Sequence, residues 1–238
     1  MTTTRYEKIT AADGGVFDAF CALPEQTPAP AVVVLQEIFG INDNIRGLSE
    51  RLAEAGFIAL APDMFWRIER RFERNDESGL ADAFDRVQRL DFDLAGQDIT
   101  AALAHLRAMP ECDGKVGAVG FCLGGTLAYL FATTARVDGR GPDAAVCYYG
   151  SGIHGMLGLA ERIECPIMFH YGDRDPYIPA EQIAEVEQAV AGKPGVVVHH
   201  YDAGHAFSNW DAPSMYVEAA AAQAWPRTIE FVNEHLRR

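Results

Sequence analysis

The chain has 238 residues, of which 49% are hydrophobic, enough for the core of one large α/β domain spanning 1–238 and too apolar for disorder. Its net charge of −14 argues against nucleic acid or an anionic membrane as partners of a basic surface. No run is long and apolar enough to span a bilayer, and the start, Met1-Thr2-Thr3-Thr4-Arg5-Tyr6, lacks the apolar segment of a secretory signal. The five cysteines (Cys21, Cys112, Cys122, Cys147 and Cys165) form neither a Cys-x-x-Cys pair nor a zinc-finger spacing with histidine, so a cytoplasmic protein with reduced thiols is expected.

In chain order, residues 6–10 and 16–22 flank Ala12-Asp13-Gly14-Gly15 and predict a β-hairpin. The proline-rich stretch 24–30 reads as a loop. Short apolar runs follow at 31–35, 58–61, 116–119, 144–149, 167–171 and 196–201, without strict alternation, as in parallel strands buried on both faces. Helices are predicted between them at 45–55, 80–89, 98–109, 126–135, 180–191 and 228–236. In the third of these, Ile99, Ala102, Leu103 and Leu106 recur at the spacing of one buried face. Alternation of this kind predicts an α/β fold, a mainly parallel sheet covered by helices on both sides, with ligands bound beyond the carboxyl ends of the strands.

Three polar signals fall at those ends. Gly120-Phe121-Cys122-Leu123-Gly124 joins a strand to a helix and reads as a nucleophile elbow. Its glycines let the turn pass close to its neighbours, and the helix start favours the thiolate of Cys122. The segment from Gly172 to Pro179 carries Asp173 and Asp175, and Asp202-Ala203-Gly204-His205-Ala206-Phe207 carries a histidine. The order nucleophile, acid, histidine is that of α/β-hydrolases. His205 has the intrinsic pKa of a base at neutral pH, and an aspartate would fix its tautomer. Asp173 and Asp175 compete for that role, since Asp173 also suits a turn. Oxyanion donors are expected from the backbone N–H of Leu123 and from the loop Gln36-Glu37-Ile38-Phe39-Gly40, at Ile38. On its own, Glu37 reads as an exposed loop residue. The histidines lack metal spacing and no phosphate-binding glycine loop is present, so neither metal nor nucleotide cofactor is expected.

Gln36–Gly40, Gly120–Gly125, Tyr148-Tyr149-Gly150 and the loops of Asp175 and His205 together resemble the dienelactone hydrolase family over nearly the whole chain. The resemblance implies the α/β-hydrolase fold, a triad of Cys122, His205 and Asp175, and a modulating role for Glu37, which would partner the cysteine at rest and leave it when substrate binds. It implies a small ester or lactone as substrate. It also exposes a departure: family members that cleave dienelactones grip the substrate carboxylate with two arginines, and this chain has Asn209 and Leu80 at the matching places. Arg67, Arg70, Arg71 and Arg74 lie nearby in sequence and offer either a substitute for that clamp or, the preferred reading, a solvated basic run. Asparagine cannot reproduce a bidentate clamp, so a preference for neutral activated esters is expected, in an apolar pocket drawn from Phe39, Phe65, Trp66, Leu80, Phe207, Asn209 and Trp210. Rival readings are cleavage of activated phosphoric esters, a non-catalytic ligand binder, and a thiol redox protein with Cys147 as the resolving cysteine.

Overall fold

The computed structural model describes residues 2–75 and 77–237, with the side chain of residue 77 left aside. They build an eight-stranded sheet from β1 (Thr3–Thr10), β2 (Val16–Leu23), β3 (Ala29–Leu35), β4 (Ile58–Pro62), β5 (Cys112–Phe121), β6 (Ala144–Tyr148), β7 (Ile167–Gly172) and β8 (Val196–Tyr201). The order across the sheet is β1-β2-β4-β3-β5-β6-β7-β8. β1 and β2 form the antiparallel hairpin, β2 runs antiparallel to β4, and every pairing beyond that is parallel. This is the α/β-hydrolase fold.

The α-helices among the described residues are α1 (Asp43–Glu54), α2 (Leu80–Arg89), α3 (Phe92–Ala108), α4 (Leu123–Thr134), α5 (Ala180–Val190) and α6 (Glu218–Leu236). Every residue of β3 is buried, as both faces of the sheet are covered. α3 and α4 pack on each other and on β5, whereas α1 and α6 meet where Arg51 lies over the Trp225 ring, 4.3 Å from its centroid.

Several boundaries differ from the sequence expectation, β5 and α4 among them by a few residues, and three others have a local reason. α3 starts six residues before 98, because the Asp91 side chain accepts from the N–H groups of Asp93 and Leu94 and caps it there. α6 starts at Glu218 and runs through Pro226, which reads in sequence as a stop. β3 takes in Ala29 and Pro30, and its register with β5 shifts across the proline. A 3₁₀ segment, Ile153–Arg162, lies where no element was expected.

Candidate active site

The elbow is built by close backbone contact. In-register pairing of Leu35 with Gly120 and of Phe121 with Tyr148 sets the end of β5 between β3 and β6. A Cβ on Gly120 would stand 1.8 Å from the Gly124 carbonyl oxygen, and one on Gly124 would stand 2.0 Å from that of Leu35. Any side chain at either position would therefore push the elbow open. Cys122 itself sits at φ 54°, a conformation that is strained for a residue with a Cβ. It is half-buried, and α4 begins at the next residue.

The loops after β7 and β8 supply its partners. Gly172 lets them meet: a Cβ there would lie 2.5 Å from the Ala203 carbonyl oxygen. The Arg174 N–H donates to that same oxygen at 3.0 Å. His205 Nε2 stands 3.0 Å from Cys122 Sγ, and its Nδ1 stands 2.7 Å from Asp175 Oδ2. A carboxylate can only accept, so Nδ1 carries a proton. Asp175 is buried, and its Oδ1 accepts from the Tyr177 N–H at 2.8 Å. Asp173 points elsewhere, with Oδ1 2.7 Å from His200 Nδ1 on the surface. Burial opposes a charge on His205, but the adjacent Cys122 sulfur and the bonds to Asp175 and Cys122 outweigh it and raise its pKa from 6.5 to about 11.

The loop after β3 closes the other side. The Gln36 side chain accepts from the Met64 N–H at 3.2 Å, and the Arg74 N–H donates to the Phe39 carbonyl at 3.0 Å. Gly40 lies so near the Phe72 carbonyl that a Cβ would come within 1.8 Å of its oxygen. Ile38 and Leu123 both line the cavity beside Cys122. The N–H of Leu123, in the first turn of α4, has no helical acceptor.

Glu37 is not the exposed residue expected from its loop position: only 4% of it is accessible. Nor does it partner the cysteine. Asn209 Nδ2 donates to its Oε2 at 2.5 Å, and the Tyr149 hydroxyl donates to its Oε1 at 3.2 Å. Burial pushes its carboxyl above the usual range, against the pull of His205 and of the two donors.

The cavity over Cys122 holds about 160 Å³, below the usual range for drug-sized ligands and suited to a small ester. Phe39 and Leu80 line it as expected, together with Phe84 and Val87 of α2 and with Phe92, Tyr177 and Met215. Four aromatic candidates lie elsewhere. Trp66 stacks on Phe17 and donates to Asp98 at 2.7 Å, Phe65 packs on Phe72, and Phe207 is fully buried against Tyr149 and Tyr201. Trp210 lies by Arg51. Asn209 belongs to the shell around Glu37 and not to the lining. The neighbouring arginines are tied down: Arg67 to Asp13 and Asp98, Arg70 to the Val16 carbonyl, Arg71 to Asp18, and Arg74 to Asp82. They are anchors between elements more than a solvated run. No lysine or arginine is among the described residues that line the cavity. Cys147 is fully buried in mid-strand, and burial pushes its thiol far above the ordinary range, which makes it a poor resolving cysteine. The contact of Tyr149 with Glu37 escaped the sequence reading. The tyrosine reads as the end of a strand, but at φ 37° it has already turned out of β6 toward Glu37.

Residues 17–236 match the profile of the dienelactone hydrolase family. A carboxymethylenebutenolidase of Pseudomonas sp. strain P51 is 36% identical over 228 residues, covering 94% of this chain and 92% of its own length. One from Pseudomonas putida is 35% identical over 227 residues, with 94% of each covered. Among solved structures, the dienelactone hydrolase-like promiscuous phosphotriesterase P91 from metagenomic libraries superposes with a TM-score of 0.81 at 30% identity, covering 98% of both chains. With an elbow, a histidine and a buried aspartate at the strand ends of a matching fold, the chain belongs to the dienelactone hydrolase family.

Proposed function

We propose that this hydrolase cleaves small carboxylic esters or lactones through a thioester on Cys122, with a preference for neutral, activated substrates. The observation that carries the reading is the continuous line from Cys122 Sγ to His205 Nε2 at 3.0 Å and from His205 Nδ1 to Asp175 Oδ2 at 2.7 Å, opening on an apolar cavity. The Cys122 proton passes to His205, and the sulfur attacks the carbonyl carbon. The developing oxyanion takes hydrogen bonds from the N–H groups of Leu123 and Ile38. As the C–O bond to the leaving alcohol breaks, the imidazolium returns its proton to that oxygen. Water, deprotonated by His205, then cleaves the thioester and restores the thiol. Asp175 holds the ring in the needed tautomer and offsets its charge.

The carbonyl side of the substrate meets Ile38, Phe39, Leu80, Phe84 and Val87, with no lysine or arginine among the described lining residues to clamp a carboxylate. An anionic dienelactone would be desolvated there without a bidentate partner, so neutral aryl esters are the better fit.

Stopped-flow hydrolysis of p-nitrophenyl acetate tests the mechanism. A burst of p-nitrophenol is expected, with an acetyl adduct on the Cys122 peptide by mass spectrometry. Turnover that persists in Cys122→Ala would overturn the reading. A second reading, cleavage of aryl dialkyl phosphates at the same sulfur, draws support from the likeness to P91. It requires that such a triester be hydrolysed, and that Cys122→Ala abolish the reaction.

A further inference from the structure

Glu37 shares a cavity with Cys122 but is held by other groups. Asn209 is oriented to hold it: its own Oδ1 accepts the Asp211 N–H at 2.9 Å, so its NH₂ faces Glu37. Tyr149, the second donor, has its hydroxyl 2.7 Å from Ser208 Oγ. Donors from the loops after β6 and β8 thus fill both oxygens of a buried carboxylate. Cys122 Sγ meanwhile lies within hydrogen-bond reach of His205.

We propose that Asn209 is a positioning residue that latches the Glu37 carboxylate away from Cys122, so that the Cys122–His205 pair stands assembled before substrate arrives. The inference rests on Cys122 being the nucleophile. It reverses the expected resting state, in which the glutamate covers the thiol. A carboxylate freed from Asn209 would be a buried acceptor short of a donor. The Cys122 S–H, facing the same cavity, can supply one, and a thiol engaged in this way keeps its proton and does not react. The titratable groups around Glu37 are His205, which attracts its charge, Asp211, which repels it, the donor Tyr149, and Cys122 across the same cavity.

Alkylation of the free enzyme by iodoacetamide, followed on the Cys122 peptide from about pH 5 to 9, reads thiolate formation directly. Wild type is expected to react rapidly at neutral pH. Asn209→Ala is expected to slow the reaction about tenfold there and to move the profile up by about one unit. Removing the glutamate in the same background, Glu37→Ala with Asn209→Ala, is expected to restore the wild-type rate. Asn209→Asp, nearly isosteric and able to keep the Asp211 contact, should also slow alkylation by repelling Glu37, and serves if the alanine variant does not fold. An unchanged profile in Asn209→Ala or in Asn209→Asp overturns the latch. So does a double variant as slow as the single one, since Asn209 would then be acting on the structure alone. Ester turnover by Cys122→Ala is scored separately: if it survives, the nucleophile reading fails, whereas its loss alongside unchanged alkylation removes only the latch.

Discussion

The two aspartates that compete in the sequence are separated by what each one touches. Asp175 is buried on His205, whereas Asp173 pairs with His200 where both are about half-exposed. Asp175→Asn is expected to lower kcat by about a hundred- to ten-thousand-fold, as loss of an oriented general base does. Asp173→Asn should change it less than about twofold, because exposed pairs contribute little. The sequence alone did not separate them, since both sit in one turn and both suit it; only the family pattern favoured Asp175. The placement of Cys122 and His205 beyond strand ends was legible because a strand-to-helix elbow and a polar loop after a later strand constrain position strongly. Glu37 was misread for the opposite reason: burial of a loop residue is decided by Tyr149 and Asn209, more than 110 residues downstream of it. His205 also fixes a pH signature. Its folded pKa is raised from 6.5 to about 11, so the stability that its charge contributes is complete below about 6.5 and is lost only as pH climbs through the raised value. The pH profile of kcat/KM for a neutral ester should accordingly lack a descending limb near the ordinary histidine range. A decline centred near neutrality would contradict the raised value for His205.

At the scale of elements, α2 and α3 part company. α2 presents Leu80, Phe84 and Val87 to the cavity, yet only Ala83 within it is buried, and Phe84 is 40% exposed. α3 seats Ile99, Ala102, Leu103 and Leu106 at full burial beneath the sheet. Phe84→Ala is therefore expected to raise KM for aryl esters severalfold while stability changes by less than about 0.5 kcal/mol. Leu103→Ala should cost about 2–5 kcal/mol with KM unaltered, as followed by urea unfolding. Periodicity and apolar runs made these helices and all eight strands readable. Elements governed by a single residue were harder to place: the Asp91 cap that begins α3, the proline carried inside α6, and the 3₁₀ segment Ile153–Arg162, whose geometry leaves no 3.6-residue rhythm.

For the whole molecule, the charge of −14 and a cavity with no lysine or arginine among its described lining residues act in the same direction. Association with an anionic substrate is slowed by long-range repulsion, which salt screens. kcat/KM for a carboxylate-bearing lactone is expected to rise between about 0.01 M and 0.15 M salt, with that for a neutral ester flat. Identical salt responses would place the charge too far away to matter. The left-handed backbone at Cys122, φ 54°, has a consequence beyond chemistry. The proposed nucleophile occupies a joint that only glycine adopts without penalty, so on that proposal the catalyst and the most durable version of this chain are different proteins. An inert Cys122→Gly chain should melt several degrees above its equally inert Cys122→Ala counterpart, since about 1–2 kcal/mol is at issue there.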